Sequence, residues 1–390
     1  MDIHFWKFTN LMKKKICILG TTGSIGLSTL EIISKDKKNF DVILLSGNSN
    51  YKLLISQATK FKPKYIYSNN FFLTEKITYF CKRNKIVIIN DLNLLKKIKF
   101  DITVSAISGI AGLLPTLSII KFSKKILIAN KESIICGWKF IYKELKKYNC
   151  SFTPIDSEHF SISNLIQNKN KNLIKNIYLT ASGGPFFLKK INLKKVTPVQ
   201  AVKHPNWKMG KKISVDSANL MNKILEIIEA SLIFSLPINK FKIIIHPQSL
   251  IHAIIEFRNG LSSMLYHNND MKIPLANSLY DNFYINNKSS DKFSFEKKLS
   301  FYNPSIKKFP SIKILGLNRA LNETGYILIN VLNEILVHRF LNNKILFTDI
   351  VYKLLTILNS NAIRNYLKNN KIRHINDVFN AYNFCRSLVN

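Results

Sequence analysis

Ile16-Cys17-Ile18-Leu19-Gly20-Thr21-Thr22-Gly23-Ser24-Ile25-Gly26 decides the fold. A short apolar run ends in a glycine-punctuated loop, and residues 25–34 then carry a helical pattern. Glycines at these points allow a tight strand-to-helix turn and let backbone N–H groups approach a phosphate at the helix N-terminus. A glycine triplet also occurs in βα turns that bind nothing, so the surroundings must decide. Val42-Ile43-Leu44-Leu45, Tyr65-Ile66-Tyr67, Ile86 to Ile89, Ile102-Thr103-Val104 and Ile126 to Ala129 continue the strand series, with helical stretches between several of them. That alternation predicts an α/β domain over residues 13–155: a doubly wound, Rossmann-like parallel sheet with a nucleotide on its first loop. The second strand runs out through Ser46-Gly47-Asn48-Ser49 without a carboxylate. An acid there would hold ribose hydroxyls and repel a 2′-phosphate, so its absence favours NADP over NAD.

Past residue 155 the pattern changes. Ile177 to Thr180, Lys242 to Ile245, Ile251 to Phe257 and Ser262 to Tyr266 read as strands of an open mixed sheet with helices on one side. They predict a central α+β domain over residues 156–280. Residues 281–306 read as a linker. Residues 307–390 read as a small helical bundle, with apolar residues at three- and four-residue steps through Leu328, Val331, Leu332, Ile335 and Leu336. Residues 1–12 form a ragged extension without the apolar core of a signal peptide, and Met12 is an alternative start.

The 390 residues carry a formal charge of +35, which taken alone suggests a polyanion partner. Only seven of the 58 basic residues are Arg, however, and the lysines are scattered through a chain also rich in Asn and Ile. An A+T-biased genome explains that composition. A nucleic-acid binder would cluster its basic residues with aromatics on one face. No apolar run is long enough to span a bilayer. The five Cys form neither CxxC pairs nor a staple-like framework and read as reduced intracellular thiols; with a composition that suggests a reduced bacterial genome, a bacterial cytoplasmic location is expected.

Asp156-Ser157-Glu158-His159 sets two carboxylates two residues apart. In an extended segment they point the same way and can share one divalent cation; otherwise they form a surface turn. A third carboxylate would complete an oxygen-rich site with open positions. Glu226, on the helix that carries Asn222 and Lys223, is the best candidate, and Glu229 one turn later is its rival. Ser182-Gly183-Gly184-Pro185 follows a strand and offers donors to an oxyanion. His204 to Gly210, with Trp207 and Met209, reads as a loop able to close over a ligand, or one whose Trp simply packs on its own domain.

These segments occur in one order together with Ala111 to Thr116, Ala129-Asn-Lys-Glu-Ser133, Lys212 to Ala218 and His246-Pro-Gln-Ser249. Over residues 13–390 the chain resembles the 1-deoxy-D-xylulose 5-phosphate reductoisomerase family. The resemblance implies NADPH-dependent rearrangement and reduction of that sugar phosphate to 2-C-methyl-D-erythritol 4-phosphate, for isoprenoid precursors. It implies Mg²⁺ or Mn²⁺ on Asp156, Glu158 and Glu226, chelating the substrate's carbonyl and hydroxyl oxygens. It places Lys131 and Ser157 against substrate near the metal. Ser182, Ser217, Asn222 and Lys223 then contact phosphate and hydroxyls with Ser249 close by, His204 makes another contact, and Trp207 and Met209 lie in the lid. Among these, Lys131, Glu158, His204 and Lys223 are the expected catalytic residues. Thr22, Gly23, Ser24, Ile25, Gly47, Asn48, Ser49, Asn130, Glu132 and Gly210 match NADPH-contacting positions. A homodimer and inhibition by a phosphonate–hydroxamate are also implied. The family commonly has a basic residue where Asn48 and Ser49 stand, and Lys52 is the expected substitute. The competing expectation, a degenerate non-catalytic relative, conflicts with the intact metal and phosphate positions.

Overall fold

The computed structural model describes residues 12–68, 75–96, 98–189, 191–207, 209–282, 298–317 and 322–389. All of the expected N-terminal extension but Met12, and residues 283–297 of the expected linker, lie outside the described residues. The chain divides into two compact units. Met1–Asn130, Lys143–Thr153 and Leu275–Asn282 make up the first; Lys131–Tyr142, Pro154–Pro274 and Phe283–Asn390 make up the second. The division cuts across the expected domain boundaries: residues 131–142 join the second unit and residues 275–282 return to the first.

The chain begins with β1 (Lys14–Leu19), α1 (Ser24–Lys35), β2 (Phe40–Ser46), α2 (Tyr51–Phe61), β3 (Tyr65–Tyr67), α3 (Glu75–Arg83), β4 (Val87–Ile89), β5 (Phe100–Ser105), α4 (Leu113–Ile120), β6 (Ser123–Ile128), α5 (Lys131–Lys147) and β7 (Ser151–Pro154), alternating strand and helix except between β4 and β5; α5 starts in the second unit and ends in the first. The sheet order is β4-β3-β2-β1-β5-β6-β7, and the pairings of β1 with β2 and β5, β2 with β3, β3 with β4, and β5 with β6 are parallel. Ile16, Ile18, Leu44, Leu45, Val104 and Leu127 are fully buried, as expected of strands covered by helices on both faces. The strand order reverses between β1 and β5. A ligand of such a sheet binds at the carboxyl ends of the strands flanking that reversal, where Gly20 to Gly23 lie. The edge strand β7 did not stand out in the sequence because Ser151-Phe-Thr-Pro154 is short and only partly apolar.

In the second unit follow α6 (Ser157–Ile166), β8 (Ile174–Ala181), α7 (Pro198–Ala201), α8 (Lys211–Ala218), α9 (Met221–Phe234), β9 (Phe241–Ile245), β10 (Ile251–Phe257) and β11 (Ser262–Tyr266); α10 (Lys272–Leu279) passes into the first unit from Leu275, and α11 (Glu323–Leu341), α12 (Phe347–Leu358), α13 (Asn361–Asn369) and α14 (Ile375–Val389) belong to the second. The second sheet, ordered β11-β10-β8-β9, is mixed: β8 pairs parallel with β9 and antiparallel with β10. Ile162 and Ile166 of α6 and Ile227, Ala230 and Phe234 of α9 share one apolar cluster with Ile177, Leu179, Ala253 and Ile255 of the sheet. Burial of each such isoleucine or leucine stabilises by about 1.5–3 kcal/mol. This packing sets α6 beside α9 and brings their N-terminal turns together. The helix α11 packs on α8, α12 and α14.

One local expectation is corrected. Residues 156–158 are not extended: Asp156 is the N-cap of α6 and Glu158 lies in its first turn. The acids keep company through a helix start, where the unsatisfied N–H groups favour negative charge, and not through strand alternation.

Candidate active site

The glycine loop is clamped from two sides within the first unit. Gly20 N–H donates to Ser46 Oγ (2.8 Å), Thr21 N–H and Oγ1 donate to Ser46 O (2.9 and 2.7 Å), and Gln57 Nε2 donates to Thr21 O (2.9 Å). Gly20 has φ +84°, and a Cβ there would lie 2.6 Å from Ala106 O. A Cβ on Gly26 would lie 2.4 Å from Gly20 O, so both glycines are demanded by the chain itself. Gly23 differs. Its φ is −84°, and the nearest atom to an added Cβ is Gly20 O at 3.5 Å. It is the N-cap of α1 and provides no side-chain cap. The first-turn N–H groups of α1 therefore have no side-chain acceptor at this cap, which suits a pyrophosphate. Gly47 approaches the loop through Thr22 Cγ2, while Asn48 and Ser49 are exposed beside it. Asn130 donates through Nδ2 to Gly109 O (2.8 Å) and to Ile107 O.

The acidic site is built wholly within the second unit. Asp156, Glu158 and Glu226 each bring a carboxylate oxygen within 4.8 Å of the others. Lys131, from the first turn of α5, lies 3.0 Å from Asp156 Oδ2 and 3.2 Å from Glu226 Oε1, and donates to Asn222 Oδ1 (2.8 Å). Lys223 bridges Glu158 Oε1 and Glu226 Oε2, the latter at 2.6 Å. Ser157 Oγ donates to Glu158 Oε2 (2.6 Å), and Asn222 Nδ2 donates to Glu226 Oε1. Lys131, Lys223, Glu158 and Glu226 are buried. Burial works against their charges, but Asp156, Glu226 and Glu229 hold the Lys131 ammonium well above the ordinary lysine range. Burial would raise the Asp156 carboxyl, yet Lys131 and then His159 hold it well below its usual range.

Charge counting shows what this set fits. Four carboxylates, with Glu229, face Lys131, Lys223 and His159. Burial first, and then repulsion from Glu226, push the Glu158 carboxyl up to about 8 against the pull of Lys223. An all-oxygen, negatively overcharged set suits a hard divalent cation such as Mg²⁺ or Mn²⁺. Asp156, His159 and Glu229 also bring ligand atoms within 4.8 Å of one another. Their mixed nitrogen and oxygen donors are the poorer match to such an ion.

Beside the acids lies a second polar cluster, around Ser182 and His204. His204 Nδ1 accepts from the N–H groups of Asn206 (3.2 Å) and Trp207 (3.0 Å), so its proton sits on Nε2, 2.9 Å from Ser182 Oγ. Burial, then the Lys223 charge, push the His204 pKa down to about 4, in keeping with a neutral ring. Ser182 Oγ also accepts from Gly184 N–H (3.1 Å), which engages both lone pairs and leaves its own proton to donate outward. A Cβ on Gly184 would lie 2.9 Å from Ser217 O, so glycine is what lets this loop reach the end of α8. Asn206 Nδ2 donates to Ser249 Oγ (2.9 Å) and Pro247 O (2.7 Å), tying the lid segment to Ser249. The Trp207 ring meets His252 edge-on at 6.0 Å. Between Ser217 and Asn222, the buried Leu220 takes φ +63°, a strained conformation held by Asn219 Oδ1 on Met221 N–H (3.0 Å) and by Ser311 Oγ on Asn219 O (2.6 Å).

The structure thus assembles Lys131, Asp156, Ser157, Glu158, Asn222, Lys223 and Glu226 in one cluster, and Ser182, His204, Trp207 and Ser249 through contacts beside it. Met209 and Gly210 close the lid segment just before α8. Glu132 spends an oxygen on partly buried Lys212 (3.2 Å), which also holds Asp216 (3.0 Å). Sequence reasoning gave no role to His159, Asn206 or Lys212. The three-residue step from Asp156 to His159 on one helix was the available signal for the first.

Three family models match. The 1-deoxy-D-xylulose 5-phosphate reductoisomerase model covers residues 16–137, that family's C-terminal domain model covers 152–234, and a further DXP reductoisomerase C-terminal domain model covers 267–388. A Pelagibacter ubique protein named 1-deoxy-D-xylulose 5-phosphate reductoisomerase is 47% identical, with 95% of this chain and 97% of the relative covered. A protein of the same name from the Wolbachia of Culex pipiens is 38% identical, with 97% of each covered. A solved DOX-P reductoisomerase in complex with NADPH, fosmidomycin and magnesium superposes with TM-score 0.88 at 32% identity, covering 96% of this chain and 97% of that one. The Zymomonas mobilis enzyme in complex with NADPH gives TM-score 0.83 at 30% identity, covering 97% of this chain and 99% of that one.

Proposed function

The chain belongs to the 1-deoxy-D-xylulose 5-phosphate reductoisomerase family, and from that premise we infer which of its residues carry the reaction. It catalyses the NADPH-dependent conversion of 1-deoxy-D-xylulose 5-phosphate to 2-C-methyl-D-erythritol 4-phosphate with a divalent cation. The observation within this chain that carries the assignment is the buried meeting of Asp156, Glu158 and Glu226 between two lysines. These three carboxylates would hold the cation, which would supply a Lewis acid to the oxygens of the hydroxyketone. A ketol shift and a retro-aldol cleavage with re-addition both need that, because charge passes between those oxygens as the carbon skeleton changes.

The other residues bind and orient. Lys131 and Ser157 lie against the acids and face the reacting end of the hydroxyketone. Lys223 and Asn222 sit between the acids and the cluster around Ser182 and His204. With the outward proton of Ser182, and with Ser217, they take the phosphate, whose binding energy positions the rest of the substrate. His204, neutral at pH 7, donates to Ser182 and fixes which way that hydroxyl points. Trp207 and Met209 exclude water when the lid segment is down. Ser249 anchors that segment through Asn206.

NADPH binds on Thr22, Gly23, Ser24 and Ile25, with Gly47, Asn48 and Ser49 at the adenosine end and Asn130, Glu132 and Gly210 as further contacts. When bound it supplies the hydride that reduces the rearranged aldehyde. The proposed domain roles are cofactor binding for 13–155, metal and substrate binding for 156–280, a linker over 281–306, and a helical appendage for 307–390. A homodimer is proposed on family grounds. A bacterial cytoplasmic location is proposed on the bacterial relatives, with no described helix long and apolar enough to cross a membrane.

The test is NADPH oxidation with 1-deoxy-D-xylulose 5-phosphate, with and without EDTA. Metal-dependent turnover, blocked by a phosphonate–hydroxamate such as fosmidomycin, supports the assignment. Folded protein without turnover would mark a degenerate relative.

A further inference from the structure

Glu229 stands one turn beyond Glu226 on α9, and spacing alone made it a rival for the cation. It is not a solvated helix residue: only 2% of its side chain is exposed, and its Oε2 has no hydrogen-bond partner among the described residues. That oxygen lies 3.7 Å from Nδ1 of His159, whose side chain is fully buried. The other ring nitrogen of His159, Nε2, is 2.9 Å from the carbonyl oxygen of Glu226. A carbonyl only accepts, so Nε2 carries a proton. Nδ1 also looks toward Asp156 Oδ1 at 3.8 Å. A bare lone pair there would face two carboxylates, whereas an N–H is attracted to both. His159 is thereby hydrogen-bonded to the backbone of one expected ligand and faces the side chains of Asp156 and Glu229 at ion-pair distance, with no hydrogen-bond partner on Nδ1 among the described residues. The ring stacks on Phe234 at 6.4 Å, so its polar neighbours are the Glu226 carbonyl on Nε2 and the Asp156 and Glu229 carboxylates on Nδ1, of which only Glu229 is not an expected ligand.

We propose that Glu229 is a positioning residue: it holds the His159 ring, and His159 in turn holds Asp156 and the Glu226 turn at the spacing that binds the divalent cation. This rests on the reading that Asp156, Glu158 and Glu226 hold the ion. Glu229 acts through the ring and does not ligate. Carboxylate–histidine support of this kind fixes ring orientation, and its loss typically weakens metal affinity about 10–100-fold.

The test is Mn²⁺ titration of the full-length, NADPH-loaded protein, with free ion read by electron paramagnetic resonance. Glu229→Gln keeps volume and removes charge, and it is expected to weaken Mn²⁺ binding about 10–100-fold with NADPH affinity unchanged. Glu229→Asp serves as a second, still charged variant and is expected to recover part of the loss. Because Glu229 acts through His159, the His159→Gln/Glu229→Gln double variant is expected to bind Mn²⁺ no more weakly than His159→Gln alone. Additive losses in that cycle, or Mn²⁺ affinity within about threefold of wild type for folded Glu229→Gln, overturn the proposal. Glu226→Gln run alongside separates the two levels. If it loses Mn²⁺ and Glu229→Gln does not, only the positioning role fails. If Glu226→Gln binds normally, the cation assignment fails with it.

Discussion

The glycine loop and the carboxylate cluster solve recognition in opposite ways. The loop, residues 20–26, works through backbone: its glycine spacing is written in seven consecutive residues, although Gly20 is also held to glycine by the approach of Ala106 O. The cluster works through buried side chains drawn from α5, the N-terminus of α6 and the first turns of α9. No stretch of chain contains it. The first needs only two side-chain clamps, from Ser46 and Gln57, while the second depends on two helices lying side by side on the same sheet face. Changes in the cluster should therefore strike turnover, and changes in the loop should divide between folding and cofactor affinity.

The largest expected effect breaks the cluster. Glu226→Gln should cut metal-dependent turnover on the order of a thousandfold or more, because it removes a ligand charge at nearly constant volume. The fold should survive. Removing one partner of a buried ion pair costs about 3–5 kcal/mol at worst. Here Asp156 still pairs Lys131 and Glu158 still pairs Lys223, so a smaller loss is expected in thermal unfolding. Turnover retained at saturating Mg²⁺ would show that a different carboxylate is the third ligand.

The loop should split as the added-Cβ distances say. Gly26→Ala drives a methyl to within 2.4 Å of Gly20 O, where backbone has to move. A stability loss of about 1–3 kcal/mol or more is expected by chemical denaturation. Gly23→Ala meets nothing closer than 3.5 Å and should leave stability within about 0.5 kcal/mol. It should nonetheless weaken NADPH about tenfold, because the methyl occupies the line along which a pyrophosphate approaches. An unchanged dissociation constant for Gly23→Ala would remove the pyrophosphate from that position.

This contrast also explains what could be read before folding. The doubly wound sheet was legible because Ile16 to Leu19 and Val42 to Leu45 are continuous apolar runs, the mark of strands buried on both faces. Asp156 and Glu158 were legible as a pair, but through the wrong local geometry, since the N-cap of α6 and not an extended segment unites them. Glu226 was named as the best candidate for a third carboxylate, but spacing alone left Glu229 as its rival. The turn of α9 that faces α6 follows from Ile227 and Phe234 packing on the sheet, a tertiary fact. Burial of Glu229 could not be told from a solvated helix position, because charged residues are buried only when distant partners exist.

A smaller effect tests whether the lid belongs to substrate or to metal. Trp207 is partly buried against the edge of His252, and its segment is tied to Ser249 and Pro247 by Asn206. Trp207→Ala should raise KM for the sugar phosphate about tenfold, the effect of one lost aromatic contact, while Mn²⁺ affinity stays put. A change in metal affinity instead would place Trp207 in support of the carboxylates.

The smallest effect lies back at the loop side, where side-chain charge enters an otherwise backbone-made site. Lys52 is exposed in the first turn of α2, two residues after Asn50, whose side chain caps Leu53 N–H at 3.1 Å. A cation at a helix N-terminus opposes the helix dipole, a cost of about 0.3–1 kcal/mol. A 2′-phosphate beside exposed Asn48 and Ser49 would turn that cost into a gain, since the phosphate is attracted by both the helix end and the ammonium. Solvent screening keeps the gain near 1 kcal/mol, so Lys52→Ala should lower the NADPH-over-NADH preference by about fivefold. The preference should also fall with added salt in the wild type and less so in the variant, because the interaction is between exposed charges. If the ratio of kcat/KM values for the two cofactors is the same in both proteins, Lys52 does not replace the missing basic residue, and the preference rests on the absence of an acid after β2 alone.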